Sequence, residues 1–406
     1  MNALDVLRER GFVAQVTFED ELYKKLDQEH VTFYCGFDPT ADSLHVGHYI
    51  PIMAMSHLQK AGHKPIALVG GGTAMVGDPS GRNSMRNMLT PEDIAENCRG
   101  LAAQLGRFLS FEGPNAAIMP NNADWLMKLN YVDFLREVGT HFSVNRMLTA
   151  DCYKNRMEQG LTFLEFNYML MQSYDFYRLQ QDYGCVMQVG GDDQWSNMLA
   201  GADLIRRKAQ AEAYTLTFRL LLNSQGEKMG KTAGGAVWLD EKRTPPYAFY
   251  QYWRNIEDAS VERCLAMLTF LPMDEVRRLG KLEGAEINHA KTVLAYEMTK
   301  LVHGEDAAAA ARDAASALFG KGGQQGSVPE VTIQAQAELS VVDALMASGL
   351  AGSKGEARRL IQGGGAYVEG EKVTAVDAMI PQSLMDEKTF MLRKGKKDFC
   401  RVTLAD

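Results

Sequence analysis

The chain of 406 residues has little cysteine and no pairing pattern for it. Its six cysteines, at positions 35, 98, 152, 185, 264 and 400, are scattered and form no Cys-x-x-Cys. Neither a zinc site nor a disulfide framework is therefore expected, and the usage fits a reducing cytoplasm. No apolar run approaches the ~20 residues that a membrane helix needs, so no membrane partner is expected. Residues 1–11 form a charged amphipathic pattern without the apolar core or cleavage pattern of a signal peptide. Positive charge is not in excess. Lys+Arg number 43 against 51 Asp+Glu, a net charge of −8, which is not the balance of a general nucleic-acid binder. The Gly-x4-Gly-Lys spacing of a Walker A loop is also missing.

What is present is a globular composition, 46% hydrophobic and 23% charged, in a length that suits two or three domains. Charge is uneven along it. Residues 341–406 carry 10 Lys+Arg against 9 Asp+Glu, +1, leaving −9 for the rest. Basic residues cluster there as Lys354, Arg358 and Arg359, then Arg393, Lys394, Lys396 and Lys397. For phosphate backbones, local patches matter more than totals.

The most informative stretch is Tyr34-Cys35-Gly36-Phe37-Asp38-Pro39-Thr40, running on to His45-Val46-Gly47-His48. Val31 to Phe33 reads as the start of a buried strand. A turn with Gly36, Asp38 and Pro39 follows, and then an apolar helical pattern to about Ala61. His45 and His48 thus fall in the first turn of a helix that follows a strand. Free N–H groups and the positive dipole end suit that place to phosphate. Gly47 has no Cβ, so a flat ring can lie against the backbone there. A partly buried histidine pair satisfied by its neighbours would have the same sequence. A metal site would need further donors, and none with ligand spacing is near.

Pro65 to Val69 is a second strand, ending in Gly70-Gly71-Gly72-Thr73, so the grammar is βαβ and a parallel sheet. Val76-Gly77-Asp78-Pro79-Ser80-Gly81-Arg82, with Arg86 one turn on, is a loop that could close over phosphates or sit in solvent. Helical periodicity covers 91–109 and 125–138, with a short strand at 116–119 between them. The mixed stretch 141–159 is the best place in this half for a subunit contact. Phe163 to Leu179 is a helix rich in aromatic residues and Met, with Tyr168, Gln172 and Asp175 at i, i+4 and i+7 on one face. Such buried polar groups need partners, either a ligand or one another. Val186 to Val189 reads as strand, followed by Gly190-Gly191-Asp192-Asp193-Gln194-Trp195 and a helix over 197–210. An acid there could hold ribose hydroxyls or simply cap the helix. Gly226-Glu227-Lys228-Met229-Gly230-Lys231-Thr232 is a short, mobile, basic loop. Beyond Pro245-Pro246 the patterns are helical to about 317, and the Gly-rich 320–327 reads as linker. The last domain begins near Ser340 with two short helices, the second opened by a Ser353/Glu356 capping box. Strands and a basic turn follow, which suits an RNA-backbone module.

Pro39 to His48 resembles the HIGH signature of class I aminoacyl-tRNA synthetases, and Lys228-Met229-Gly230-Lys231-Thr232 resembles their KMSKS loop, in the same order. Val46 stands in place of Ile, and Gly230 and Thr232 in place of the two serines. These variants are similar to the bacterial tyrosyl branch. So are Tyr34 to Thr40, Val76 to Gly81, Asn167 to Asp175 and Gln188 to Trp195, while the end of the chain resembles an S4 RNA-binding domain. The likeness spans nearly the whole chain and is weakest in the linker. It implies an α/β fold: a Rossmann-type parallel-sheet catalytic domain at 1–244, an α-helical tRNA-interacting domain at 245–319, a flexible linker at 320–338 and a small α+β S4-like domain at 339–406, assembled as a homodimer. It implies a cytoplasmic tyrosine–tRNA ligase. L-tyrosine and ATP, with Mg2+ on the nucleotide, would give tyrosyl-adenylate and pyrophosphate, and tyrosine would then pass to the 3′ end of tRNA(Tyr). No metal held by the protein itself is expected.

The resemblance also assigns residues. Tyr34 and Asp175 would hydrogen-bond the phenolic hydroxyl. Asp78, Tyr168 and Gln172 would hold the ammonium group and Gln194 would orient the carboxylate. Cys35 and Asp193 would bind ribose hydroxyls, Gly191 would admit the sugar, and Gly36, Asp38 and Gly47 belong with the ATP site. Thr40, His45, Lys228, Lys231 and Thr232, with Arg82 and Arg86, would stabilise the pyrophosphate, and His48 would pack on the ribose. Lys354, Arg358, Arg359, Lys394, Lys396 and Lys397 would meet RNA. The substrate carboxylate is itself the nucleophile, so catalysis is positioning plus electrostatics. A site built around a hydroxyl leaves buried polar groups unpaired with phenylalanine, the tyrosyl enzymes being the standard case of this argument, and no editing domain is apparent. Three other readings compete. A tryptophanyl relative suits the Tyr34/Asp175 pair less well than a phenol does. A non-catalytic RNA-binding paralogue has no reason to keep His45, His48, Lys228 and Lys231. A nucleotidylyltransferase sharing the HxGH element leaves the helical and S4-like regions unexplained.

Overall fold

The computed structural model describes residues 2–80, 89–232, 235–319, 330–334, 339–395 and 398–405. The chain divides into two compact units, Met1–Pro245 with Tyr252–His303, and Pro246–Gln251 with Gly304–Asp406.

The first unit is built on a five-stranded sheet. Its strands are β1 (Val13–Val16), β2 (Thr32–Phe37), β3 (Lys64–Val69), β4 (Met187–Gly191) and β5 (Tyr214–Phe218), in the order β1-β5-β4-β2-β3. β2 to β5 are parallel, and β1 closes the edge antiparallel to β5. Both faces of the parallel strands are covered. This is why β3 from Pro65 and the whole of β5 are buried without alternation. Helix Val46–Lys60 carries the chain from β2 to β3 and is itself buried along most of its length. β4 lies on the other side of β2, so the strand order reverses between β2 and β4. The crevice at their carboxyl ends is where ligands bind in open α/β folds. Helices Tyr168–Tyr183 and Trp195–Lys208 flank β4, and Phe176, Leu179, Ala202 and Ile205 pack with Tyr34, Ile66 and Leu68 into one core. A short hairpin, β6 (Lys231–Thr232) and β7 (Gly235–Ala236), follows β5.

Several boundaries differ from expectation. Residues 116–119 form no strand. They run alongside β3 as isolated parallel bridges, Ile66 to Ile118 and Val69 to Asn121. Pro65 and Pro120 have no N–H to give, which interrupts the ladder. The helix expected over 125–138 is two, Ala123–Leu126 and Tyr131–Glu137. The second starts where the Asn130 side chain accepts the N–H groups of Val132 and Asp133. The aromatic helix begins as Phe163–Phe166, under a Thr162/Glu165 capping box, and restarts at Tyr168. No helix among the described residues is long and apolar enough to cross a membrane.

The second unit holds helix Glu305–Phe319 and a sheet of β8 (Glu330–Gln334), β9 (Ala366–Val368), β10 (Glu371–Lys372), β11 (Thr389–Lys394) and β12 (Asp398–Ala405), in the order β10-β9-β11-β12-β8. Helices Val341–Ala347 and Lys354–Gln362 bury Leu345 and Ile361 against Phe390, Leu392 and Val402. β8 lies within the stretch expected as linker and pairs parallel to β12. Residues 320–329 are outside the described residues. The capping box at Ser353 is half formed. Ser353 accepts the N–H of Glu356, but the Glu356 carboxylate takes the N–H of Gly352 and the ammonium of Lys394 instead of closing back on Ser353.

Candidate active site

The two signature motifs meet at the carboxyl edge of the parallel strands. His45 is the N-cap of helix Val46–Lys60, and its Nδ1 accepts the N–H of Gly47 at 3.0 Å. The Nδ1 of His48 accepts the N–H of His45 at 3.2 Å, and the two rings stack 3.9 Å apart. Both Nδ1 atoms accept, so in the neutral rings the proton sits on Nε2. A Cβ at Gly47 would lie 2.8 Å from His45 Cε1, so the flat ring that needs this glycine is His45 itself. Gly230, at φ +87°, packs on the same turn, where a Cβ would stand 2.7 Å from Val46 Cβ. The N–H of Val46 donates to Val237, the N–H of Val237 donates to Gly230, and the N–H of Gly230 donates to Tyr252 Oη. Val46 thus lies one strand-like rung from the KMSKS-like loop, and a serine in place of Gly230 would clash with it.

Lys228 and Asp193, both assigned to the nucleotide, form an ion pair at 3.0 Å. Gly191 ends β4 beside them. Thr40 is exposed at the turn after β2, with its N–H on the Asp38 carbonyl, and Gly36 is exposed on β2. Cys35 is buried on β2, where burial pushes its thiol up to about 12 and keeps it protonated. Lys231 and Thr232 supply the backbone of β6. Arg82 and Arg86 are outside the described residues.

A hydrogen-bonded chain runs under the crevice. Asp175, buried, accepts from Asn122 Nδ2 at 2.8 Å and Trp125 Nε1 at 2.7 Å. Asn122 also donates to Thr73 Oγ1 at 3.0 Å, Thr73 donates to Asp38 at 2.7 Å, and Tyr168 Oη donates to the other Asp38 oxygen at 2.9 Å. Burial pushes the Asp175 carboxyl up to about 7, the Asn122 and Trp125 bonds pull it down, and the charge of Asp38 pushes it up again. Tyr34 Oη is buried with no hydrogen-bond partner among the described residues. Burial, and then the charge of Asp175, hold its pKa well above the usual phenol value. Gln172 Oε1 and Gln188 Oε1 are also buried without a partner among the described residues. Orphaned polar atoms cost free energy unless something pairs with them, so their concentration here marks a polar ligand site.

Asp78 completes the crevice. It accepts the N–H of Ser80 at 2.9 Å and Gln194 Nε2 at 2.7 Å. Burial raises its pKa, those hydrogen bonds oppose the rise, and Asp38 adds to it.

A family model described as tRNA synthetases class I (W and Y) matches residues 25–320, and one described as the tyrosine–tRNA ligase SYY-like C-terminal domain matches residues 322–402. The chain is 60% identical to the tyrosine–tRNA ligase of Clostridium beijerinckii over 404 residues, 99% of each chain. It is 56% identical to that of Clostridium tetani over 404 residues, again 99% of each. The chain belongs to the tyrosyl-tRNA synthetases. Among solved structures, a C-terminally truncated mitochondrial tyrosyl-tRNA synthetase of Aspergillus nidulans superposes with a TM-score of 0.69 at 31% identity, over 77% of this chain and 92% of that one.

For a tyrosyl-tRNA synthetase, sequence reasoning missed Thr73, Asn122, Trp125, Gln188 and Asn197. Asp38, assigned with the ATP site, has its carboxylate hydrogen-bonded to Thr73 and Tyr168. A signal for Asn122 did exist: polar Asn121-Asn122 follows an apolar run, as at the ends of β3 and β4. Of the residues assigned to RNA, Arg358 and Arg359 are exposed, while Lys354 pairs with Asp343 and Lys394 with Glu356. Lys396 and Lys397 lie outside the described residues.

Proposed function

We propose that this synthetase activates L-tyrosine with ATP and transfers it to the 3′ end of tRNA(Tyr), and that it does so through the crevice between β2 and β4. The observation that carries this reading is the buried pair of Tyr34 Oη, without a partner among the described residues, and Asp175, whose charge acts on it. A phenolic hydroxyl can donate to the Asp175 carboxylate and accept from Tyr34 Oη. At the other end of the substrate, Asp78 supplies counter-charge to the ammonium group, Tyr168 and Gln172 supply oxygen acceptors, and Gln194 orients the carboxylate.

In the first step the carboxylate oxygen bonds to the α-phosphorus of ATP and the bond to the β-phosphate oxygen breaks. Pyrophosphate leaves and tyrosyl-adenylate remains. The Nε2–H groups of His45 and His48, the N-terminus of helix Val46–Lys60, and Lys228 and Lys231 stabilise the charge that builds on the leaving group. Thr40 and Thr232, with Arg82 and Arg86, join them, while Cys35, Gly191 and Asp193 face the ribose. In the second step a hydroxyl of the terminal adenosine attacks the tyrosyl carbonyl and AMP leaves. The ATP phosphates would bring Mg2+ with them, an ion that keeps most of its waters and takes few protein oxygens, and its charge would offset theirs.

The apolar side chains most exposed in the first unit include Met127, Tyr131, Val132, Val144, Met157 and Phe163. Their concentration between 127 and 163 supports a homodimer formed through that region, and the six unpaired cysteines support the cytoplasm as the place of work. The C-terminal unit, through Lys354, Arg358, Arg359, Lys394, Lys396 and Lys397, contacts the tRNA backbone. The deciding experiment is exchange of labelled pyrophosphate into ATP, without tRNA, with tyrosine, phenylalanine and tryptophan in parallel. Exchange with tyrosine alone is expected. Exchange with tryptophan would mean that Tyr34 and Asp175 are misread, and no exchange at all would sink the enzyme reading.

A further inference from the structure

Asp78 and Gln194 come from different elements, the loop after β3 and the turn after β4, and something must hold them in register. Asn197, in the first turn of helix Trp195–Lys208, is 1% exposed. Its amide nitrogen donates one proton to Ser80 Oγ at 3.1 Å and faces Gln194 Oε1 at 3.4 Å. Ser80, 7% exposed, gives its backbone N–H to one oxygen of Asp78, and Gln194 Nε2 donates to the other. The four residues therefore form a closed ring: Asp78, Ser80, Asn197, Gln194 and back to Asp78.

We propose that Asn197 is a positioning residue for the ammonium and carboxylate end of the substrate, acting through Asp78 and Gln194. The ring sets the direction of the Gln194 amide. With its oxygen turned to the Asn197 NH2 group, its own NH2 group must face Asp78 and the crevice. A flipped amide would put two NH2 groups together at Asn197 and two oxygens together at Asp78. The ring also ties the loop that carries Asp78 to helix Trp195–Lys208, so the counter-charge cannot drift from the carboxylate subsite. Asn197 Oδ1 is itself buried without a partner among the described residues, a cost that a packing role alone would remove by substituting an apolar side chain.

This inference rests on the tyrosine-activating reading and is tested beside it. Pyrophosphate exchange is measured for the wild type, Asn197→Ala, Asn197→Asp and Ser80→Ala, together with competitive inhibition by 4-ethylphenol, which has the phenol but neither α-group. Both Asn197 variants are expected to raise the KM for tyrosine about tenfold, equivalent to ~1.4 kcal/mol, because the aspartate cannot donate. Ser80→Ala is expected to raise it less, with the KM for ATP and inhibition by 4-ethylphenol unchanged in all three. An unchanged KM for tyrosine in Ser80→Ala and in any folded Asn197 variant overturns the proposal. So does an equal loss of 4-ethylphenol binding, which would mean general disruption. Ser80→Ala carries the test should the Asn197 variants fail to fold. A wild type without tyrosine-dependent exchange would instead refute the reading on which the proposal stands.

Discussion

Tyr34→Phe has two effects of opposite sign. Without ligand, Tyr34 Oη is buried and lacks a partner among the described residues. A hydroxyl in that position costs about 1–3 kcal/mol, and phenylalanine removes it while keeping the ring against Phe176. The free variant should therefore be the more stable protein. At about 2–4 °C of melting temperature for each kcal/mol in a unit of this size, the lower end of that gain is readable by scanning calorimetry. With tyrosine bound the sign reverses. The lost hydrogen bond between neutral groups is worth about 0.5–1.5 kcal/mol, which lowers kcat/KM for tyrosine roughly 2- to 13-fold. Phenylalanine loses nothing, so the preference for tyrosine over phenylalanine drops by the same factor. The assays are melting with and without saturating tyrosine, and pyrophosphate exchange with both amino acids. A free variant that melts below the wild type would show that the hydroxyl is already paired. An unchanged preference would show that the phenol is read elsewhere, and either result refutes the reasoning.

Three further outcomes are expected. The Asp175 carboxyl sits near 7, above its ordinary value, so the fold favours its protonated form. On this account, as pH falls through 7 the free protein gains stability from this group while kcat/KM for tyrosine falls, approaching tenfold per unit. A pH–rate profile flat between 5.5 and 8 would contradict this. Gly230→Ala sets a side chain at φ +87° against Val46, at a cost of about 1–2 kcal/mol for the backbone alone. Because the clash pushes the basic loop off the His45 turn, kcat for activation should fall while the KM for tyrosine holds, and a wild-type kcat would count against the packing described. Phe163→Asp puts a charge in the exposed apolar region, where Phe163 is 70% exposed. If the proposed homodimer forms there, sedimentation should shift from dimer to monomer at micromolar concentration, and a variant that stays dimeric would place the interface elsewhere.

β2, β3 and β4 were readable because parallel strands covered on both faces contain apolar runs, with glycine following β3 and ending β4; β5 was not, because Thr215 and Thr217 interrupt its apolar residues. Tyr168, Gln172 and Asp175 were readable because helical spacing alone puts them on one face. Asn122 and Trp125 were not. They reach Asp175 through an edge segment whose ladder is broken by proline, so neither period marks it. The bonds of the Asp38 carboxylate to Thr73 and Tyr168 could not be read from its own stretch, because both partners lie far away in sequence. The half-formed box at Ser353 shows the same limit. Lys394, distant in sequence, takes an oxygen of Glu356. Local pattern specifies which groups need partners, and tertiary contact decides which partner each receives.

The chain of bonds from Asp175 through Asn122 and Thr73 to Asp38 and Tyr168 works as a gauge of length. On the proposed reading, one end would meet the substrate's hydroxyl and the other would lie beside its ammonium group, with the distance between them set by side chains already committed to one another. An amino acid whose hydroxyl is displaced by one ring position would satisfy one end only. Rebuilding the crevice for a longer or shorter side chain therefore takes more than a change at Tyr34 or Asp175, because Asn122 serves Asp175 and Thr73 at once and a substitution there loosens both ends of the gauge together.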